Sequence, residues 1–197
     1  MNRYTIGGVA LLALALHTLT PNAMGQDTPQ ADAPPAPTSV AEALDQLAVW
    51  QLGDPEAPLE YLRAQVRAVQ TYPADRSLLA IQLAGVLRNP EATHDAKRFV
   101  CRQLYLIGDA AQVPVLAGLL AAAETADIAR YALETMPGAA VDAALVQALD
   151  GATGEQATAL LHTLGQRGGD AARTAVAAAL EDATLRATAL QALDQMA

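Results

Sequence analysis

Residues 99–120 read Phe99-Val100-Cys101-Arg102-Gln103-Leu104-Tyr105-Leu106-Ile107-Gly108-Asp109-Ala110-Ala111-Gln112-Val113-Pro114-Val115-Leu116-Ala117-Gly118-Leu119-Leu120. Phe99, Val100, Leu104 and Ile107 keep a helical period up to Gly108, a helix stop. The period resumes at Val113, Leu116, Leu119 and Leu120, with Pro114 in the first turn, where a missing N–H is least costly. The unit recurs: Phe99, Leu104 and Gly108 return as Ile128, Leu133 and Pro137-Gly138, then one residue early as Ala157, Leu161 and Gly165, a period of about 29 residues. A fourth copy begins at Ala183. One such helical pair cannot bury its apolar face alone, so stacking with its neighbours is required, and the pattern predicts an all-α solenoid of four to five helical hairpins.

Working outward, the spacing predicts first helices over 93–107, 125–136, 154–164 and 184–196, and second helices over 111–122, 140–149 and 170–180. Gly165 to Gly169 is expected to form the turn of the third copy. Upstream, helices are expected over 39–52, 58–71 and 77–87, with Tyr72-Pro73 breaking the last two. Trp50 shares an apolar stripe with Val40, Ala43, Leu44 and Leu47 and is expected to face the core. Leu78, Leu79, Ile81, Leu83, Val86 and Leu87 leave the 77–87 helix apolar nearly all round, as in a helix buried on several sides or lining a contact surface. The helix over 184–196 has no second helix after it. Leu185, Leu190 and Leu193 should then be partly exposed, and three outcomes are open: irregular packing back, pairing with another molecule (self-association through this helix included), or a solenoid cut short.

The N-terminal stretch has a different character. Arg3 precedes a run of roughly 15 apolar residues, short of the roughly 20 that span a membrane. Pro21-Asn22 and the small-residue site Ala23-Met24-Gly25 follow, the pattern of a secretory signal peptide cleaved after Gly25, with an uncleaved anchor as the alternative. No cysteine lies near that site to take a lipid, and no stable membrane span is expected after cleavage. Residues 26–38 hold four prolines among Ala, Gln, Asp and Thr, which favours an extended, disordered tether. The expected organisation is a signal peptide over 1–25, a Pro-rich linker over 26–38 and a helical domain over 39–197. Localisation is then periplasmic or extracellular.

Composition narrows the function classes. The chain is 52% hydrophobic but only 4% aromatic, so small residues carry its helix packing. Its formal charge is −9, and residues 1–25 hold one base and no acid, so the mature chain would stand at −10. That balance argues against a protein that tracks nucleic-acid phosphates. Cys101 is the lone cysteine, so no intramolecular disulfide can form. It reads as a small core residue.

No metal-ligand spacing or phosphate-binding loop is present, and no cofactor is expected. Ser39 and Ser77 stand at expected helix starts and read as caps rather than nucleophiles. His94 and His162 read as surface or structural residues. No catalytic, cofactor-binding or metal-binding residue is assigned. Asp127, Arg130 and Glu134 have the spacing of helix-surface ion pairs, and with Lys97 or Arg98 one repeat earlier they could form an inter-repeat polar ladder. Tyr105 and Tyr131, near Arg102 and Arg130, are candidate contact anchors, because Tyr and Arg are enriched in binding hot spots.

The unit ending Leu104-Tyr105-Leu106-Ile107-Gly108 and restarting Gln112-Val113-Pro114-Val115-Leu116, echoed at Ala129-Arg130-Tyr131-Ala132-Leu133-Glu134, resembles HEAT-type repeats. The resemblance covers residues 58 to 197, most clearly from 93, and is to the exported HEAT-repeat proteins of environmental bacteria. It implies a right-handed α-solenoid whose second helices line the concave face, and protein binding as a tendency. Among HEAT-like enzymes, deoxyhypusine hydroxylases hold di-iron on His-Glu pairs, whereas His94 precedes Asp95 and His162 precedes Thr163. HEAT-like DNA glycosylases need a basic groove, and bilin lyases act on cytoplasmic proteins. The expected function is a non-catalytic, protein-binding or scaffolding module with an unidentified protein partner and no nucleic acid. The alternatives are a lyase or hydrolase with an inter-repeat groove, or a shortened fragment with a structural role.

Overall fold

The computed structural model describes residues 34–197, so the leader expected over 1–25 and the tether up to residue 33 lie outside the described residues. The described residues are all-α, with ten helices, two short 3-10 turns and no strand. The compact unit begins at Pro35, four residues before the expected boundary at Ser39. Pro37 is buried, the Pro35 carbonyl accepts from Gln46 Nε2 at 3.0 Å, and the Thr38 carbonyl accepts from the Tyr61 hydroxyl at 3.3 Å. The last tether residues are therefore part of the domain.

Local chemistry sets the helix ends. α1 (Val40–Val49) is capped by the Ser39 hydroxyl, which accepts the Glu42 N–H at 3.2 Å. Glu42 reaches back to the N–H and hydroxyl of Thr38, and those two bonds hold its carboxyl below the usual range. Trp50 closes α1 and is buried as expected, its indole N–H donating to the Pro55 carbonyl at 3.2 Å. α2 (Ala57–Val69) is followed by α3 (Pro73–Arg88). Pro73 is thus the first residue of α3, where its missing N–H costs no intrahelical hydrogen bond. Ser77 lies one turn inside α3 and does not cap it. Its hydroxyl instead donates to Asp109 Oδ2 at 2.7 Å, across 32 residues of chain.

α4 (His94–Ile107) is capped by Thr93, whose hydroxyl accepts the Ala96 N–H at 3.0 Å, and ends at Gly108. A 3-10 turn at Ala110–Gln112 leads into α5 (Val113–Leu119). Asp109 and Gln112 cap that turn reciprocally. α6 (Ala123–Glu134), α7 (Ala139–Gly151), α8 (Gly154–Arg167), α9 (Asp170–Ala178) and α10 (Arg186–Gln195) follow. Gly165 lies inside α8, so it is not the turn of its repeat. The helix runs on to Gly168 and Gly169, whose φ values of +70° and +89° only glycine adopts readily.

Helices α4, α6, α8 and α10 pack one on the next, and α3, α5, α7 and α9 do likewise. Each of α3, α5, α7 and α9 also lies against the helix that follows it. The hairpin expected over 154–164 and 170–180 is present as α8 against α9, whereas α4 and α6 lie against the helices before them, α3 and α5, rather than against their expected partners α5 and α7. α10 is seated on α8 and α9, with Ala189 and Ala192 buried, Leu185 and Leu193 half-buried and Leu190 57% exposed. It packs back on the preceding helices. One continuous core runs through the unit, and Leu47, Leu62, Leu83, Leu104, Leu116, Leu133, Leu145 and Leu161 are all fully buried in it. Each contributes about 2 kcal/mol by leaving water. On α3, Leu79, Leu83, Val86 and Leu87 are buried, while Leu78 and Ile81 are 58% and 51% exposed. No helix of the described residues is long and apolar enough to cross a membrane.

Candidate functional site

The helices of the first-helix set present a groove between α4 and α6. Arg98 and Arg102 lie one turn apart on α4, and Asp127, Ile128, Arg130 and Tyr131 face them from α6. The cavity is about 580 Å³, within the range that holds a small ligand or a short peptide segment. Cys101 closes its floor and is fully buried. Burial pushes the Cys101 thiol up to about 12, so it stays protonated at neutral pH and offers no thiolate to the groove.

The arginines are held differently. Arg98 Nη2 pairs with Asp95 Oδ1 at 2.6 Å, and Asp95 Oδ2 accepts the Leu52 N–H at 2.9 Å. Arg98 is therefore anchored to the loop after α1. Arg130 lies between Asp127 Oδ1 at 3.5 Å and Glu134 Oε2 at 3.8 Å, and its Nη1 donates to Thr163 Oγ1 on α8 at 2.8 Å. Its Nε, the atom that faces Asp127, is buried and makes no hydrogen bond among the described residues. Arg102 is exposed and makes no ion pair or side-chain hydrogen bond among those found in the described residues. Tyr105 and Tyr131 stack at the groove's rim, with ring centroids 4.5 Å apart and planes inclined by 13°. The separation lies at the short end of the range of about 4.5–7 Å over which aromatic pairs attract. Tyr131 remains 41% exposed.

Arg130 is also a wall of a second groove between α8 and α10, about 680 Å³ and lined by Thr158, His162, Thr188 and Gln191 among others. His162 is exposed there and lies 3.3 Å from Gln166 Nε2. A third cleft, about 470 Å³, lies between α5 and α7 and is lined by small residues and the amides of Gln147 and Gln156. It carries no charged side chain. No group of three or more His, Cys, Asp or Glu side chains among the described residues is placed to hold a metal ion.

The sequence expectations meet this geometry unevenly. Arg102, Arg130 and the two tyrosines do come together. The inter-repeat polar contact exists as Arg130 to Thr163, whereas Arg98 pairs within its own helix. Sequence reading missed Arg167, which ends α8 with a side chain only 10% exposed. Its Nη1 donates to the carbonyls of Leu133, Glu134 and Met136 at 3.0, 2.9 and 2.7 Å, and its Nε pairs with Asp142 at 2.7 Å. Arg167 thereby caps the C-terminus of α6 from two helices away. The signal for it was Gly168-Gly169: the true stop places Arg167 in the last turn. No family model, curated protein or solved structure matches the chain significantly.

Proposed function

We propose that this chain is a non-catalytic protein-binding or scaffolding module, exported from the cytoplasm and built as a right-handed α-solenoid of HEAT-type repeats. The repeat of about 29 residues and the continuous packing of α4, α6, α8 and α10 support the solenoid. The leader-like residues 1–25 support export.

The observation that carries the binding reading is the stacked pair Tyr105 and Tyr131 at the rim of a groove lined by Arg98, Arg102 and Arg130. Aromatic and arginine side chains give large contact area with fixed polar direction. Here the stack, Asp95 and Thr163 hold four of these five side chains in place, so a partner would bind with little ordering of the surface. The groove sits on the first helices, whereas the resemblance to HEAT repeats points to the second.

The test is capture with the full chain from the native cell-envelope fraction, followed by purification of the captured protein and direct titration. Saturable binding, weakened by Tyr131→Ser with the fold intact by circular dichroism, is the expected result. Binding unaffected by Tyr131→Ser would move the site off this face. Capture of nothing beyond the chain's own copies would remove the protein-binding reading.

A further inference from the structure

We propose that the outward face of α10 pairs two copies of this chain, antiparallel and about a two-fold axis close to Leu190. This goes beyond the binding of another protein and does not depend on the groove between α4 and α6.

The face is defined by what α10 buries. Ala189 and Ala192 are buried where α10 packs on α8 and α9, and Leu193 is half-buried. The other side of the helix presents Arg186, Ala187, Leu190 and Asp194, all exposed. Leu190, at 57% exposure, is the large apolar side chain among them. Ala187 beside it carries a single methyl group, so another helix can approach closely there.

Charge names the occupant. Arg186, Leu190 and Asp194 are spaced four residues apart, so they form one row on the helix surface. In an antiparallel pair centred near Leu190, Arg186 lies one turn, about 6 Å along the axis, to one side of the centre. Asp194 of the second copy lies on that same side. The two leucines meet, and each guanidinium finds a carboxylate at both ends, as the self-complementarity of a two-fold contact requires. A parallel pair would set Arg186 against Arg186 and Asp194 against Asp194, which like-charge repulsion disfavours. A partner of one charge sign would satisfy one end of the row and be repelled by the other.

Both charges are available. Neither Arg186 nor Asp194 makes an ion pair among the described residues. Arg186 Nε donates to the Leu180 carbonyl at 2.8 Å, which anchors the guanidinium and leaves its two Nη groups for a second copy. Asp182, four residues before Arg186, forms no ion pair with it and instead accepts the N–H and the hydroxyl of Thr184, both at 2.7 Å. α10 has ten residues, about 15 Å of helix, so a contact centred on it is small and the dimer is a weak one.

Sedimentation velocity of the full chain from about 10 μM to about 1 mM tests this, and a monomer–dimer equilibrium is expected. Arg186→Asp and Asp194→Arg should each weaken it by at least about tenfold, because like charges then meet at both ends. Mixed in equal amounts, the two variants should pair with one another, since each supplies the charge the other lacks. The chain carrying both substitutions should dimerise as the native one does. All these positions are exposed, so circular dichroism should stay native. A chain that stays monomeric to about 1 mM, or single variants that dimerise as the native chain does, would overturn the proposal. A mixture that associates no better than either variant alone would overturn it too. Neither result touches the binding of another protein at Tyr131, which the capture experiment decides separately.

Discussion

Gly165 and Ala192 meet backbone to backbone: a Cβ built on Gly165 would lie 2.9 Å from both Cα and Cβ of Ala192. α8 and α10 therefore pack at a separation only a missing side chain permits. Gly165→Ala should destabilise the fold by about 1–3 kcal/mol, because neither helix can retreat without opening the core. Gly85, inside α3 with nothing near its missing Cβ, is the control. Gly85→Ala should stabilise by about 0.5–1 kcal/mol through helix propensity. Urea denaturation followed by Trp50 fluorescence measures both, and opposite signs are the expected result.

Arg167 tests whether remote capping holds α6. Arg167→Met removes three hydrogen bonds to the carbonyls of Leu133, Glu134 and Met136 and the ion pair with Asp142. The loss should be about 3 kcal/mol, since the carbonyls are left without their donor. Asp142→Asn keeps a polar acceptor beside Nε and should lose about 1 kcal/mol. Equal losses would show that the ion pair, not the cap, holds this junction.

Ser77 and Asp109 join α3 to the turn between α4 and α5. Asp109 takes the Ser77 hydroxyl on Oδ2 and the Ala111 N–H on Oδ1. Asp109→Ala should therefore cost about 2 kcal/mol, and Ser77→Ala about 1 kcal/mol. In the double variant the losses should fall short of additive, because both remove the same bond.

Cys101 gives a pH dependence with a definite sign. Its folded thiol is pushed up to about 12 by burial, against an ordinary value of 9.0. Above that ordinary value the unfolded thiol ionises while the folded one stays protonated, so stability falls as pH rises from about 9 toward 12. The slope from this group is about 1.4 kcal/mol per pH unit. Cys101→Ala should lower stability at neutral pH by leaving a small cavity, yet remove that part of the alkaline slope. Native protein should also resist thiol alkylation at pH 8 until it unfolds.

Much of this was legible in the order of residues. Thr93, Ser39 and Gly108 act at helix ends as their types suggest, because capping is satisfied within three or four residues of chain. Arg102, Arg130 and the two tyrosines could be anticipated as a group, since a repeat brings equivalent positions of successive helices side by side. Ser77 and Gly165 were misread for a common reason. Each was assigned the local role its residue type most often fills, while its actual partner lies 32 and 27 positions away, at Asp109 and Ala192.

The sequence by itself determined that the domain is helical and where most helices begin. Periodicity, caps and turn glycines act over one or two turns, so they survive without knowledge of the neighbours. Only the tertiary structure decided which helix lies against which, that Arg167 closes the end of α6, and that Arg98, Arg102 and Arg130 line one cavity. Those relations depend on the shapes of surfaces meeting across the fold, and close packing allows a glycine or an arginine only where the opposing helix leaves room or a carbonyl to meet.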